Sequence, residues 1–143
     1  MKRVLLMSIF GAQCNDPPWG ELIAVDLADG IDTWRSVLGT TEVMIGLPFP
    51  WGTSSFGGAM MTSSGLMFTG AAMGDYICAF DNRSGEEIWN AALPAGGQAT
   101  PMSYKWQGKQ YVPIVAGVTA ALGRHRETMS SVLLCQVNRF FRR

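Results

Sequence analysis

Apolar residues in this chain come in short runs set between glycines, prolines and small polar residues, the spacing of strands rather than of amphipathic helices. Leu22-Ile23-Ala24-Val25, Gly65-Leu66-Met67-Phe68-Thr69-Gly70 and Tyr76-Ile77-Cys78-Ala79-Phe80 predict buried strands. Thr100-Pro101-Met102-Ser103-Tyr104 and Gln110–Gly117 predict two more, joined through Gln107-Gly108-Lys109, which has hairpin chemistry. Pro113 interrupts the last run and removes a ladder donor, which a strand tolerates only at an edge. Val4–Phe10 reads as a further buried strand with a turn at Asn15-Asp16-Pro17-Pro18. Lys2-Arg3 before it, and Gly11-Ala12-Gln13-Cys14 after it, imitate a secretory leader and a lipoprotein cleavage site. The apolar stretch is short for a leader, and Gln13 stands where a small residue is needed. No run approaches the roughly 18 apolar residues of a membrane span, and no helical periodicity precedes about residue 119.

Two segments superimpose at a shift of 55 positions: Ala24-Val-Asp26-Leu-Ala-Asp-Gly30-Ile-Asp-Thr-Trp34 and Ala79-Phe-Asp81-Asn-Arg-Ser-Gly85-Glu-Glu-Ile-Trp89. The shared pattern is A-x-D-x-x-x-G-x-x-x-W. The small Ala leaves room for a ring, Asp26 and Asp81 can cap the following turn, and Gly30 and Gly85 supply the positive φ of a tight hairpin. Trp34 and Trp89 then offer flat side chains suited to docking on an adjacent sheet. A repeat of this length points to a propeller or array.

Composition narrows the function classes. Of 143 residues, 15% are charged, and the formal net charge is zero, so bulk charge steers no nucleic acid to the chain. The zero hides a split: residues 124–143 carry five Arg and only Glu127 as an acid, while the rest of the chain is acidic on balance. Cys14, Cys78 and Cys135 have no metal-type spacing, and the one His125 completes no familiar zinc ligand set. Phosphate-cradling loops, nucleophile elbows and paired acid/base carboxylates are missing as motifs. Glu86-Glu87 reads as a solvated hairpin turn. The residues alone give no catalytic and no metal-binding group.

The docking pattern, with Cys14-Asn-Asp-Pro-Pro-Trp-Gly20, Leu38-Gly-Thr-Thr41, Phe56-Gly-Gly58, Leu93-Pro-Ala-Gly-Gly-Gln-Ala-Thr-Pro-Met102 and Gly108-Lys109-Gln110-Tyr111-Val112, resembles the C-terminal part of pyrroloquinoline-quinone (PQQ)-dependent dehydrogenases, especially the membrane-bound glucose and quinate enzymes. The resemblance covers roughly residues 4–117. It implies an all-β fold, about two blades of an eight-bladed β-propeller, with residues 1–123 as a partial propeller whose repeat units centre on 22–39 and 76–94. Residues 124–143 form a divergent basic tail.

The resemblance further implies PQQ and calcium at one end of the ring, oxidation of a sugar or cyclic alcohol, and electrons passed to ubiquinone. It places such an enzyme on the periplasmic side of the bacterial inner membrane. The cofactor accepts a hydride, with the metal polarising it. By the same resemblance Gly97, Gln98, Ala99, Thr100 and Thr119 lie at the cofactor end, Thr119 standing where the family has a His in a Gly-Gly-His-Gly-type loop. The family's catalytic base and calcium ligands lie upstream of these residues, so the chain alone is expected to bind neither PQQ nor calcium. Its partners are the remaining blades. Beyond Gly123 the family's Gly-Asp-Tyr and closing apolar strand are missing, and the charge shift fits a replaced C-terminus. The alternative for the tail is a basic amphipathic helix from Thr128 to Arg143 on a membrane surface. The alternative for the whole chain is a non-enzymatic scaffold module of the bacterial envelope built from the same repeat.

Overall fold

The computed structural model describes residues 8–9, 12–55, 57–70, 74–117 and 131–136. Its strands are β1 (Glu21–Val25), β2 (Asp32–Val37), β3 (Met60–Met61), β4 (Leu66–Gly70), β5 (Tyr76–Asp81), β6 (Glu87–Ala92), β7 (Tyr104–Trp106), β8 (Lys109–Ala116) and β9 (Ser131–Gln136), with a single helical turn α1 (Glu42–Ile45) between β2 and β3. They form three antiparallel sheets in chain order: β1-β2, then β3-β4-β5-β6, then β7-β8-β9.

The 55-residue repeat is reproduced bond for bond. Ala24 lies opposite Trp34 and Ala79 opposite Trp89, each followed by a one-residue irregularity in register. In the first turn the Asp26 carboxylate accepts from the Ala28 N–H at 2.9 Å. In the second, Asp81 accepts from Arg83 at 2.8 Å. Gly30 and Gly85 take φ of +74° and +72°, which a side chain would strain. At the other end the Leu38 N–H donates to the Gly20 carbonyl and the Leu93 N–H to that of Asp75, again one period apart.

Alternation along the strands puts the middle sheet between two partners. Leu66, Phe68, Ile77 and Ala79 face Val112, Ile114 and Ala116 of the third sheet, with Leu93. Met67, Cys78 and Phe80, the intervening residues, face Leu38, Leu22 and Trp34 of the first. Ile77, Phe80 and Val112 are fully buried, each contributing about 1.5–3 kcal/mol of hydrophobic stabilisation. The Trp34 indole N–H reaches across to the Asn82 carbonyl at 2.9 Å, and its ring covers Gly85, where a Cβ would stand 2.7 Å from Cδ2. The docking expected of Trp34 is therefore a sheet-to-sheet contact with a hydrogen bond in it.

Three sequence readings need correction or completion. The closing strand expected to be missing is present: β9 pairs with β8 from Tyr111–Gln136 to Ala116–Ser131, across the composition boundary at residue 123. It also starts 55 residues after β5, as β5 starts 55 after β1. Residues 131–136 are accordingly strand, not part of the helix considered for 128–143. Composition concealed this because ladder bonds use backbone, and Ser131-Val-Leu-Leu-Cys-Gln136 is apolar enough to pair on β8. Pro113 sits within β8, yet its carbonyl accepts from the Met102 N–H at 3.1 Å, on the side where the β7 ladder has already ended at Tyr104–Tyr111. Its missing donor thus costs no ladder bond with β7. The expected strand at residues 4–10 lies outside the described residues, apart from Ser8 and Ile9.

Candidate functional site

Because neighbouring strands run antiparallel, the segments entering β1, β3, β5 and β7 and leaving β2, β4, β6 and β8 gather at one end of the three sheets. The expected cofactor-end residues Gly97, Gln98, Ala99 and Thr100 belong to the segment between β6 and β7, at this end. Tight backbone contacts hold that segment. The Gly117 N–H, just after β8, donates to the Gly96 carbonyl at 3.0 Å. Gly97 is buried, and a Cβ there would meet Leu93 Cδ1 at 2.7 Å, Ile114 Cδ1 at 3.1 Å and Gly70 Cα at 3.4 Å. The Thr100 hydroxyl accepts from the Gly58 N–H at 3.1 Å, and Gly57 lies against the Gln98 carbonyl. Gln98 and Ala99 are half-buried and Thr100 is exposed.

The four described candidates are thus brought together, and Thr119 lies outside the described residues. Sequence reasoning placed Gly57 and Gly58 in the resembling motif and Gly70 and Gly117 at strand ends, but gave none of them a role around this segment. For Gly70 the signal was available, since glycine at a strand end marks a close backbone approach, here to Gly97. The preceding segment between β2 and β3 is tied differently. The Thr41 hydroxyl donates to the Leu47 carbonyl at 2.6 Å and accepts from the Phe49 N–H at 3.1 Å. Trp51 stacks on Phe49, with centroids 4.7 Å apart, and meets the edge of Trp19. Gly20 and Gly52 cross backbone to backbone there, beside the buried Thr53 hydroxyl, which has no hydrogen-bond partner among the described residues.

The chemistry available at this end is modest. The described residues contain no group of three or more His, Cys, Asp or Glu side chains able to hold a metal. Residues 93–102 include no Lys or Arg to meet an anionic ligand such as a tricarboxylate quinone. The space a glycine leaves at 97 is filled by Gly70, Leu93 and Ile114 and is closed to a ligand. These residues do not by themselves fit PQQ or its calcium. Away from this end, Cys78 is a free thiol in the core. Burial, and then the neighbouring Glu87 carboxylate, push it up to about 12, so it stays a neutral packing group. Among the described residues no helix is long and apolar enough to cross a membrane.

Comparison with known proteins agrees with the geometry. The family of glucose/ethanol/alcohol dehydrogenase β-propeller domains, the PQQ family, matches residues 1–112. The glycerol dehydrogenase large subunit of Gluconobacter thailandicus is 43% identical over 114 residues, covering 75% of this chain and 15% of that protein. The quinoprotein glucose dehydrogenase of Escherichia coli is 37% identical over 123 residues, covering 82% of this chain and 16% of the relative. The quinate/shikimate dehydrogenase (quinone) of Acinetobacter baylyi is 40% identical over 119 residues, 78% of this chain and 15% of the other. Among solved structures, the quinohemoprotein alcohol dehydrogenase ADHIIG of Pseudomonas putida superimposes with a TM-score of 0.53 at 28% identity, over 71% of this chain and 14% of that one. The chain thus spans about 15% of the length of the curated relatives it matches.

Proposed function

This chain belongs to the PQQ family of glucose/ethanol/alcohol dehydrogenase β-propeller domains, and from that premise we propose that it supplies consecutive blades to a quinoprotein dehydrogenase. The complete enzyme oxidises a sugar, polyol or cyclic alcohol and passes the electrons to a quinone at the periplasmic face of the inner membrane. The names of the relatives support this reading: glycerol, glucose and quinate/shikimate dehydrogenases, the last with quinone as acceptor. The observation that carries it is the stacking of three sheets in chain order, with the Trp34 indole bonded across the first interface and the inter-sheet segments gathered at one end. The scaffold alternative has no such support from the relatives.

In this reading the chain's own residues build wall rather than perform chemistry. Gln98, Ala99 and Thr100 border the cofactor end of the ring, and Gly97 lets their segment pass close to Gly70. For Thr119 the assignment to that end rests on the family resemblance alone. PQQ, when held by the complete ring, supplies hydride acceptance. The remaining blades furnish the acid–base and metal-ligating groups that this segment lacks.

Replacing the matched segment of the E. coli quinoprotein glucose dehydrogenase with residues 12–117 tests the reading. The chimera is expected to fold and to oxidise glucose in the presence of PQQ and calcium, followed by dye reduction. A folded chimera that binds PQQ but does not turn over would overturn it. The 143-residue chain alone is expected to show no saturable PQQ binding in an absorbance titration with calcium.

A further inference from the structure

The two turns of the repeat share a backbone and differ at a reactive position. The Gly30 N–H donates to the Asp26 carbonyl at 2.8 Å, and the Gly85 N–H to that of Asp81 at 2.9 Å. The residue before each glycine folds its side chain forward along the glycine's peptide unit. The Asp29 carboxylate accepts from the Ile31 N–H at 3.0 Å, and the Ser84 hydroxyl accepts from the Glu86 N–H at 3.2 Å. To reach the amide of Ile31, the Asp29 carboxylate must lie alongside the Gly30 nitrogen that precedes it. A hydroxyl in that place is inert toward the nitrogen; a carboxyl carbon is an electrophile. Asp29-Gly30 is the one Asp-Gly pair in the sequence, and there is no Asn-Gly pair.

The surroundings of the two turns differ as well. Every residue from Val25 to Thr33 is exposed, and a Cβ at Gly30 would meet nothing within 4 Å. Gly85 is buried, with the Trp34 ring against it. The first turn joins a sheet of two described strands, whereas the second lies within a sheet of four. A two-stranded ribbon does little to hold its turn shut, so brief opening of the Gly30–Asp26 bond is cheap there. Opening matters because it frees the Gly30 nitrogen, and glycine carries no side chain to hinder ring closure.

We propose that Asp29-Gly30 is a self-modification site, at which side chain and backbone close to a succinimide that reopens to isoaspartate. The Gly30 nitrogen attacks Asp29 Cγ, the N–Cγ bond forms, and the carboxyl hydroxyl leaves as water with the amide proton. Water then adds back to the imide. Breaking the new N–Cγ bond restores aspartate; breaking the original peptide bond leaves the chain running through Cγ, longer by a methylene group at unchanged net charge. Nothing beyond water is consumed or released, and the inference is independent of the dehydrogenase reading.

The test is incubation of the folded 143-residue chain at neutral pH in water enriched in heavy oxygen, followed by tryptic mapping. Isoaspartate is read from its diagnostic backbone fragments, and each hydrolysis leaves a heavy oxygen in the new carboxylate. Within residues 4–35 the label should gather at Asp29, about tenfold or more above Asp16, Asp26 and Asp32. Asp29→Ser copies the residue of the second turn, so it should keep the urea midpoint and lose the label. Ser84→Asp sets the same dipeptide against the Trp34 ring, where conversion should be about tenfold slower than at Asp29, since that turn opens less often. Absence of label at Asp29, or label in this peptide that survives Asp29→Ser, overturns the proposal. Equal conversion at positions 29 and 84 overturns the role given to the open turn. No arm involves cofactor or turnover, so failure here and failure of the chimera are told apart.

Discussion

The two faces of the middle sheet are made by alternate residues of the same strands, and the layers they bury differ in size. Toward the third sheet lies a broad aliphatic and aromatic layer of Leu66, Phe68, Ile77, Val112 and Ile114. Toward the first sheet the buried layer is smaller, Met67, Cys78, Phe80 and Leu38, and a directed contact supplements it, the Trp34 indole on Gly85 and Asn82. An interface built on bulk tolerates rearrangement of any one atom but suffers from lost volume. One built on an indole in a fitted hollow is sensitive to a single methyl group.

The largest expected effect tests the bulk side. Phe68→Ala should cost about 3–5 kcal/mol, a large share of the roughly 5–15 kcal/mol that holds an ordinary domain. Its urea midpoint should fall below that of Met67→Ala on the opposite face; the reverse order would break the ranking of the two interfaces. Gly85→Ala comes next, at about 2–4 kcal/mol, because it combines a side chain at positive φ with a methyl group against the indole. Gly108→Ala, also at positive φ but with open space around its Cβ, should cost less and isolates the packing part of that loss. Trp34→Phe keeps a ring but leaves the Asn82 carbonyl without its donor, for about 1–2 kcal/mol; the same thermal or urea unfolding measures it.

The smallest effect concerns Cys78, on the indole side. Its thiol is raised in the fold from 9.0 to about 12, so the folded state binds the proton more tightly than the unfolded chain. The stabilisation is complete below pH 9 and is lost progressively as pH rises toward 12. Cys78→Ala should flatten this alkaline slope in a pH series of unfolding midpoints. At neutral pH, alkylation followed by peptide mapping should find the exposed Cys14 modified before Cys78.

Most of the strands and the two turns that follow Asp26 and Asp81 were legible in the sequence because they are local, whereas the register that sets Ala24 opposite Trp34 and Ala79 opposite Trp89 was not. Period-two alternation, an Asp cap and a positive-φ glycine leave a signature within about eleven residues. The candidate loop was legible only in part. Motif resemblance grouped Gln98, Ala99 and Thr100 in one candidate segment, which the structure places between β6 and β7, but the reason for Gly97 was not readable. Its neighbours Gly70 and Ile114 are far away in the chain and come together only when two sheets stack. β9 escaped notice for the opposite reason: composition pointed to a basic tail, while the backbone of 131–136 was still able to complete the ladder on β8.

Chain order alone thus determined which segments become strands, where the turns fall and at what interval the unit recurs, since each depends on side chains close to one another along the backbone. Tertiary structure decided the rest: that Trp34 is closed over Gly85 while nothing lies within 4 Å of a Cβ at Gly30, and that the third sheet gains a strand from the tail. Those outcomes hang on which faces meet, and the burial of apolar area is set by the neighbour a face finds, not by the residues that compose it.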